Sequence, residues 1–182
     1  MTGSRRSGSG RAPAPAQAQA AELHLVLEAH GHLLALSTAV IERMRLAEEV
    51  KPRAVIGGLV VESDGHAWPT WNLGTLLGLA PLSSAWILMH VPHATGSVRV
   101  ALQTGPCLVV RPIARLGALP IGIFRERQGA LAAVFDAAQV DQKRGAVAGL
   151  VIDAARLFTA AEVESSRGRI LAHINAGGRV GR

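Results

Sequence analysis

Apolar residues in this chain come in short bursts separated by glycine, proline, serine and asparagine. Leu23-His24-Leu25-Val26-Leu27-Glu28 alternates loosely, His30-Gly31 supplies a turn, and His32-Leu33-Leu34-Ala35-Leu36 returns, which reads as a hairpin. Val40-Ile41-Glu42-Arg43-Met44-Arg45-Leu46 alternates in its second half, and Val55 to Val61 is one apolar run containing Gly57-Gly58. Ser63-Asp64-Gly65 makes a tight turn into Ala67-Trp68-Pro69. Proline has no ladder N–H to give, so a strand must end or lie at an edge there. Further strands are expected at Ala85 to Val91, Ser97 to Gln103, Cys107 to Arg111, Ile121 to Phe124, Ala130 to Phe135 and Val147 to Asp153. About ten short strands at this spacing point to all-β barrels rather than an α/β sheet.

Helical signals are few. Leu73, Leu76 and Leu77 fall at i, i+3 and i+4, one face of a short helix expected over Leu73 to Leu79. The segment from Asp153 to Glu162 repeats that plan: a strand, an acid where the first has an amide, then a short leucine-bearing helix. Residues 160–176 extend as a C-terminal helix with Gly177-Gly178 as its stop.

Composition changes this picture at two points. The chain has 182 residues, 49% of them hydrophobic, which suits one domain or two small subdomains sharing a core. Tyrosine is absent and tryptophan and phenylalanine number three each, so aliphatic side chains must fill that core. Residues 1–21 are Gly/Ser/Arg and then Ala/Pro/Gln, the composition of a disordered leader. No apolar stretch follows Arg5-Arg6, which argues against a signal peptide. The charge-free span between Asp64 and Arg99 is broken by Pro69, Asn72, Pro81 and Pro92, and its apolar pieces are too short to cross a bilayer. A soluble, cytoplasmic protein is expected.

The net charge of +6 invites a nucleic-acid or membrane reading. Its location weakens that reading. Arg5, Arg6, Arg11, Arg167, Arg169, Arg179 and Arg182 sit in the two tails, while residues 22–163 carry equal numbers of acids and bases. No aromatic side chains are interleaved with the tail arginines, so stacking on bases is unsupported. Nucleic acid is therefore not expected as a partner, and a small β-barrel binder using basic tails is the alternative reading.

Candidate chemistry is thin. A lone Cys107 inside Cys107-Leu108-Val109-Val110 reads as a buried, inert thiol without an activating neighbour. His24, His30 and His32 lie near one hairpin but lack a full ligand set, so no metal and no cofactor are expected. Ser37, Ser63 and Ser97 stand in no nucleophile elbow, which argues against a hydrolase and for a non-enzyme. Trp68 and Trp71 flank the strand-to-helix junction, either as core or rim packing or with one of them as an exposed anchor.

The order of these elements resembles the CheW-like domain family, the coupling proteins of bacterial chemotaxis and the matching regulatory domain of their histidine kinases. Four stretches carry the resemblance. Leu25-Val26-Leu27 with Gly31 and Leu34-Ala35-Leu36 is similar to the family's opening hairpin. Val40-Ile41-Glu42-Arg43-Met44-Arg45 is similar to its Val-x-Glu-apolar-x-Arg stretch, with Arg43 in the apolar slot. Trp68-Pro69-Thr70-Trp71-Asn72-Leu73 followed by Leu77-Gly78 resembles its Pro-x-x-Asp-Leu junction, and Leu150-Val151-Ile152-Asp153-Ala154-Ala155-Arg156-Leu157 its closing segment.

The resemblance implies an all-β fold with short helices, built as two small five-stranded β-barrel subdomains around a shared apolar core. The expected organisation is a leader over 1–21, the CheW-like domain over 22–163 and a basic C-terminal helix and tail over 164–182. It implies a non-catalytic adaptor that couples a receptor-like protein to a histidine kinase regulatory domain through a barrel edge and a groove between barrels. Glu42, Glu62, Asp64, Trp68 and Trp71 are the contact residues expected on that basis. Three departures stand out. The family pattern has Asn-x-Arg-Gly before the junction where this chain has Glu62-Ser63-Asp64-Gly65, Asn72 replaces the usual Asp, and Ser37 stands where Pro or Asp is common. An acid in place of a contact arginine repels a partner built for that arginine, which sets this chain against an ordinary chemoreceptor.

Overall fold

Twelve strands and three helices follow one another in the residues that the computed structural model describes, 22–94, 96–117, 128–140 and 148–177. The leader, the strand expected at Ile121 to Phe124 and residues 178–182 lie outside them. The strands are β1 (Leu23–Ala29), β2 (His32–Ser37), β3 (Ile41–Leu46), β4 (Arg53–Val55), β5 (Gly58–Ser63) and β6 (His66–Asn72), then β7 (Ala85–His93), β8 (Gly96–Thr104), β9 (Cys107–Pro112), β10 (Arg115–Gly117), β11 (Leu131–Asp136) and β12 (Ala148–Ile152). The helices are α1 (Leu73–Leu76), α2 (Ala154–Leu157) and α3 (Ala160–Asn175).

The strands form two six-stranded sheets, in the orders β10-β11-β12-β2-β1-β9 and β3-β7-β8-β6-β5-β4. This is the all-β architecture that the strand pattern implied, in the two-sheet arrangement that the family resemblance implied. The sixth member of each sheet is a three-residue edge strand, β10 in one and β4 in the other. Neighbours run antiparallel except at β12–β2 and β6–β8. Each sheet thus contains one parallel pair, and in each the strand β6 or β12 leads directly into a four-residue helix. Asn72 accepts from the Thr75 N–H and Asp153 from the Ala155 N–H, so the repeat legible in the sequence is a repeat of N-caps.

Side-chain parity builds the core. In the first sheet Leu25, Leu27, Leu34, Leu36, Leu150 and Ile152 face the second sheet, where Ile87, Met89, Val100 and Leu102 meet them. Leu73, Leu76, Leu77 and Leu157 from α1, α2 and the end of α1 plug the same interface. The alternate residues turn the other way. Val26, Leu33, Ala35, Phe135 and Val151 fill a cluster inside the first sheet, and Val61, Trp68, Trp86, Leu88 and Ala101 one inside the second. Strands buried on both faces need no polar positions, which is why β1, β2 and β7 read as nearly unbroken apolar runs.

Three local expectations are corrected. Val55 to Val61 is a hairpin rather than one run: β4 and β5 pair antiparallel with Val55 opposite Gly58, and Gly57 takes a φ of 87° in the loop. Nor does the strand end at Pro69. β6 pairs with β5 as far as Pro69, opposite Val60, and with β8 from Thr70 onward. Counting from the two-residue Asp64-Gly65 loop puts Pro69 in a non-hydrogen-bonded pair, so the missing N–H falls at the handover and costs no ladder bond. The first helix is shorter than its leucine spacing implied, because Gly78 at φ 71° turns the chain just after Leu77. No helix among the described residues is long and apolar enough to cross a membrane.

Packing inside the first sheet leaves no slack at Gly149. A Cβ there would lie 2.1 Å from Cζ of the fully buried Phe135. Gly149→Ala is expected to cost about 2–3 kcal/mol, whereas Gly168→Ala, exposed on α3 with open space around it, gains roughly 0.5–1 kcal/mol. Urea denaturation of the full chain measures both.

Candidate functional site

β6 carries the two junction tryptophans at odd spacing, so they emerge on opposite faces of the sheet. Trp68 goes inward. It is 1% exposed, its Nε1 donates to the Ser63 carbonyl at 3.4 Å, and His90 meets its ring edge-on at 5.6 Å between centroids. Arg99 lies 6.0 Å from the same ring. Trp71 emerges on the other face, half-buried beneath α3. Burial removes Trp68 as a direct contact and makes it the floor on which polar neighbours are arranged.

Those neighbours close a ring. Glu42 pairs with His90 at 2.6 Å, His90 touches Trp68, and Trp68 is bonded to Ser63 beside Asp64. Asp64 then pairs with Arg43, the residue after Glu42, at 2.6 Å. Asp64 itself adopts φ 51° in the hairpin loop. The Ser63 hydroxyl, and then the Arg43 and Arg45 guanidinium groups, hold its carboxyl below the usual carboxylate range. Two departures from the family pattern, Asp64 in the arginine slot and Arg43 in the apolar slot, are therefore each other's partners. The corner therefore carries both charges, the acid in the turn and the base on β3.

Glu62 faces elsewhere. Its carboxylate takes Arg53 at 3.4 Å and stands 3.7 Å from His173 of α3. Trp71 also meets α3, donating to the Ser166 hydroxyl at 2.9 Å with the Arg169 guanidinium over its ring at 4.6 Å and Phe158 edge-on at 5.9 Å. Arg169 reaches past Trp71 to the Thr70 carbonyl at 2.8 Å, and burial pulls its pKa down. Beside this knot runs an open groove of about 690 Å³ lined by Pro52, Leu59, Thr70, Trp71, Trp86 and Gln103. The five residues singled out from sequence thus form two sets: Glu42, Asp64 and Trp68 at the β3 corner, Glu62 and Trp71 under α3. Sequence reading missed Ser166, Arg169 and His173. The signal was a helix whose polar side chains recur at i, i+3 and i+7.

The hairpin histidines do not converge. His24 is buried with Nδ1 at 2.9 Å from the Glu22 carbonyl, while His30 reaches the Ala80 carbonyl at 2.8 Å. Among the described residues no group of three His, Cys, Asp or Glu is placed to hold a metal ion. Cys107 is half-buried, and burial pushes its thiol up.

Asn72 shows why an amide serves where the family pattern has an acid. Its Oδ1 accepts from the N–H groups of Thr75 and Leu82, and its Nδ2 donates to the Leu82 carbonyl and the Gln103 side chain. A carboxylate would meet both of those acceptors without a proton to offer.

The two curled sheets, the shared core between them and the capped junctions define a CheW-like fold. Among solved structures the chain is similar to the scaffolding protein TtCheW from Thermoanaerobacter tengcongensis, with a TM-score of 0.59 and 12% identity over 76% of this chain and 93% of that one. No protein-family model and no curated protein sequence matches the chain.

Asn72→Ala removes a cap and leaves the Leu82 backbone without partners, an expected loss of about 2 kcal/mol. Asn72→Asp keeps the acceptor atom and recovers part of it. Chemical denaturation of both variants reads the difference.

Proposed function

We propose that the protein is a non-catalytic adaptor of the CheW kind, acting in the cytoplasm and joining a histidine kinase regulatory domain to a receptor-like protein in chemotaxis or motility-type signalling. The likeness of the fold to a solved scaffolding protein supports this reading. So does the character of the polar ring at the β3 corner, where side chains pair with one another around a buried tryptophan and no nucleophile, base and orienter converge. In this reading Glu42, Arg43 and Asp64 form the contact surface, and Trp68 supports it from below.

The Arg43–Asp64 pair selects the partner. A receptor surface complementary to an unpaired base meets a carboxylate first, and must displace Arg43 from it before finding a positive charge. The adaptor is therefore matched to a receptor-like protein of its own system. The tail-driven nucleic-acid reading gains nothing from the described residues: Arg169 turns inward onto Trp71 and Arg167 pairs with Glu164 at 2.6 Å.

Calorimetric titration against the CheW-like regulatory domain of a histidine kinase from the same organism tests the reading. Binding is expected there, with an ordinary chemoreceptor tip bound at least ~10-fold more weakly, a difference of about 1.4 kcal/mol. The double substitution Arg43→Leu, Asp64→Arg is expected to narrow that gap. Absence of any interaction with the kinase domain overturns the proposal.

A further inference from the structure

A helix lying on a sheet ordinarily turns its apolar stripe inward and its polar residues to water. α3 does so only in its first turns. The Thr159–Glu162 capping box starts it, Val163 is buried, and Ser166 is fully engaged, accepting from Trp71 and donating to the Glu162 carbonyl at 2.9 Å. Beyond Ser166 the polarity inverts. Arg169 and His173 point inward, while Leu171 is 60% and Ile174 37% exposed.

The inward residues are poorly matched. His173 has no exposed surface, and neither ring nitrogen has a hydrogen-bond partner. Its nearest charged neighbour, Glu62, stands 3.7 Å away and is shared with Arg53. Arg169 places one nitrogen on the Thr70 carbonyl, but its Nε is buried without a partner. Of the five buried side-chain polar atoms without partners among the described residues, three lie on this one helical face. Such atoms keep the full penalty of leaving water. Undocking would relieve that penalty at the cost of uncovering one face of Trp71, while Leu171 and Ile174 already face solvent.

We propose that the C-terminal half of α3, from Arg169 to Asn175, is a reversibly docked strap. Arg169 is its clasp. The guanidinium lies on Trp71, bonds Thr70 and fills the space beside Gly58, where a Cβ would come within 2.8 Å of it. The first turns of α3 stay anchored through Val163 and Ser166. When the clasp opens, His173 reaches water, and one face of Trp71 and the adjoining wall of the groove are uncovered.

Hydrogen exchange of the full chain, read by mass spectrometry beside Trp emission, tests the strap. In the parent protein, amides of 170–175 are expected to exchange through local opening, far faster than those of β7 and β8. His173→Leu replaces the unmatched ring with an apolar side chain of similar reach and is expected to slow that exchange ~10-fold. Arg169→Gln is expected to speed it, with a red shift of emission and no change at β7 or β8. If both variants leave 170–175 unchanged, the segment frays independently of docking and the proposal fails. It fails equally if His173→Leu speeds the exchange, or if the parent protein protects 170–175 as strongly as β7 and β8. Should His173→Leu not fold, the Arg169→Gln result decides alone.

Discussion

Burial of the central strands on both faces is the constraint from which the rest of this structure follows. β1, β2, β7, β8 and β12 each send alternate side chains into the shared core and the others into their own sheet's interior. A one-residue slip in any of them would exchange the two sets, putting Trp86 and Leu88 where Ile87 and Met89 belong. Register is therefore fixed from both sides at once. The two parallel pairings, β12 with β2 and β6 with β8, lie at these doubly buried strands, and the capped helices that follow them close the interface between the sheets.

β6 converts that register into two surfaces. Its antiparallel half carries Trp68 into the sheet's own interior to organise Ser63, His90 and Glu42, and its parallel half carries Trp71 to the opposite face, against the shared core and α3. Pro69 stands between the halves. Its place in the ladder allows the strand to change partner without losing a bond, which explains how a proline occupies the middle of a six-stranded sheet. The polar corner and the α3 knot are thus set on opposite faces of one strand, three residues apart in sequence.

Much of the fold was legible because it rests on local signals. Turn residues located the hairpins at His30-Gly31 and Asp64-Gly65, leucine spacing located α1, and Gly177 marked the stop of α3. What the sequence concealed depends on pairing across the chain. Gly57-Gly58 looked like part of one run, since apolar Val55 and Leu59 flank a loop that only strand pairing reveals. Pro69 looked like a terminator because its ladder position depends on the length of the Asp64-Gly65 loop. The site was harder. Glu42 and Asp64 were identified as residues of interest, but the meeting of Asp64 with Arg43 needs the approach of β3 to the β5–β6 turn, which no spacing encodes. Trp68 and Trp71 were separable by parity once the strand was known to continue through Pro69.

The two polar assemblies differ in how well they are satisfied, and that difference assigns them different work. At the β3 corner Arg43 pairs with Asp64 and His90 with Glu42, each at 2.6 Å, both pairs are open to solvent, and the buried group beneath them is an indole with its N–H bonded. Such a surface is stable as it stands and free to exchange its partners with those of another protein, because exposed ion pairs are held weakly and rearrange at little cost. Under α3 the reverse holds: Ser166 and His173 are buried and Trp71 and Arg169 half-buried, Trp71 and Ser166 are matched, Arg169 leaves its Nε without a partner, and His173 leaves both ring nitrogens so. Poor matching in a low-dielectric setting favours motion over recognition, since the unpaired groups gain by reaching water. Recognition therefore belongs to the corner built by β3 and the Asp64 turn, and conformational change to the helix on the far side of β6.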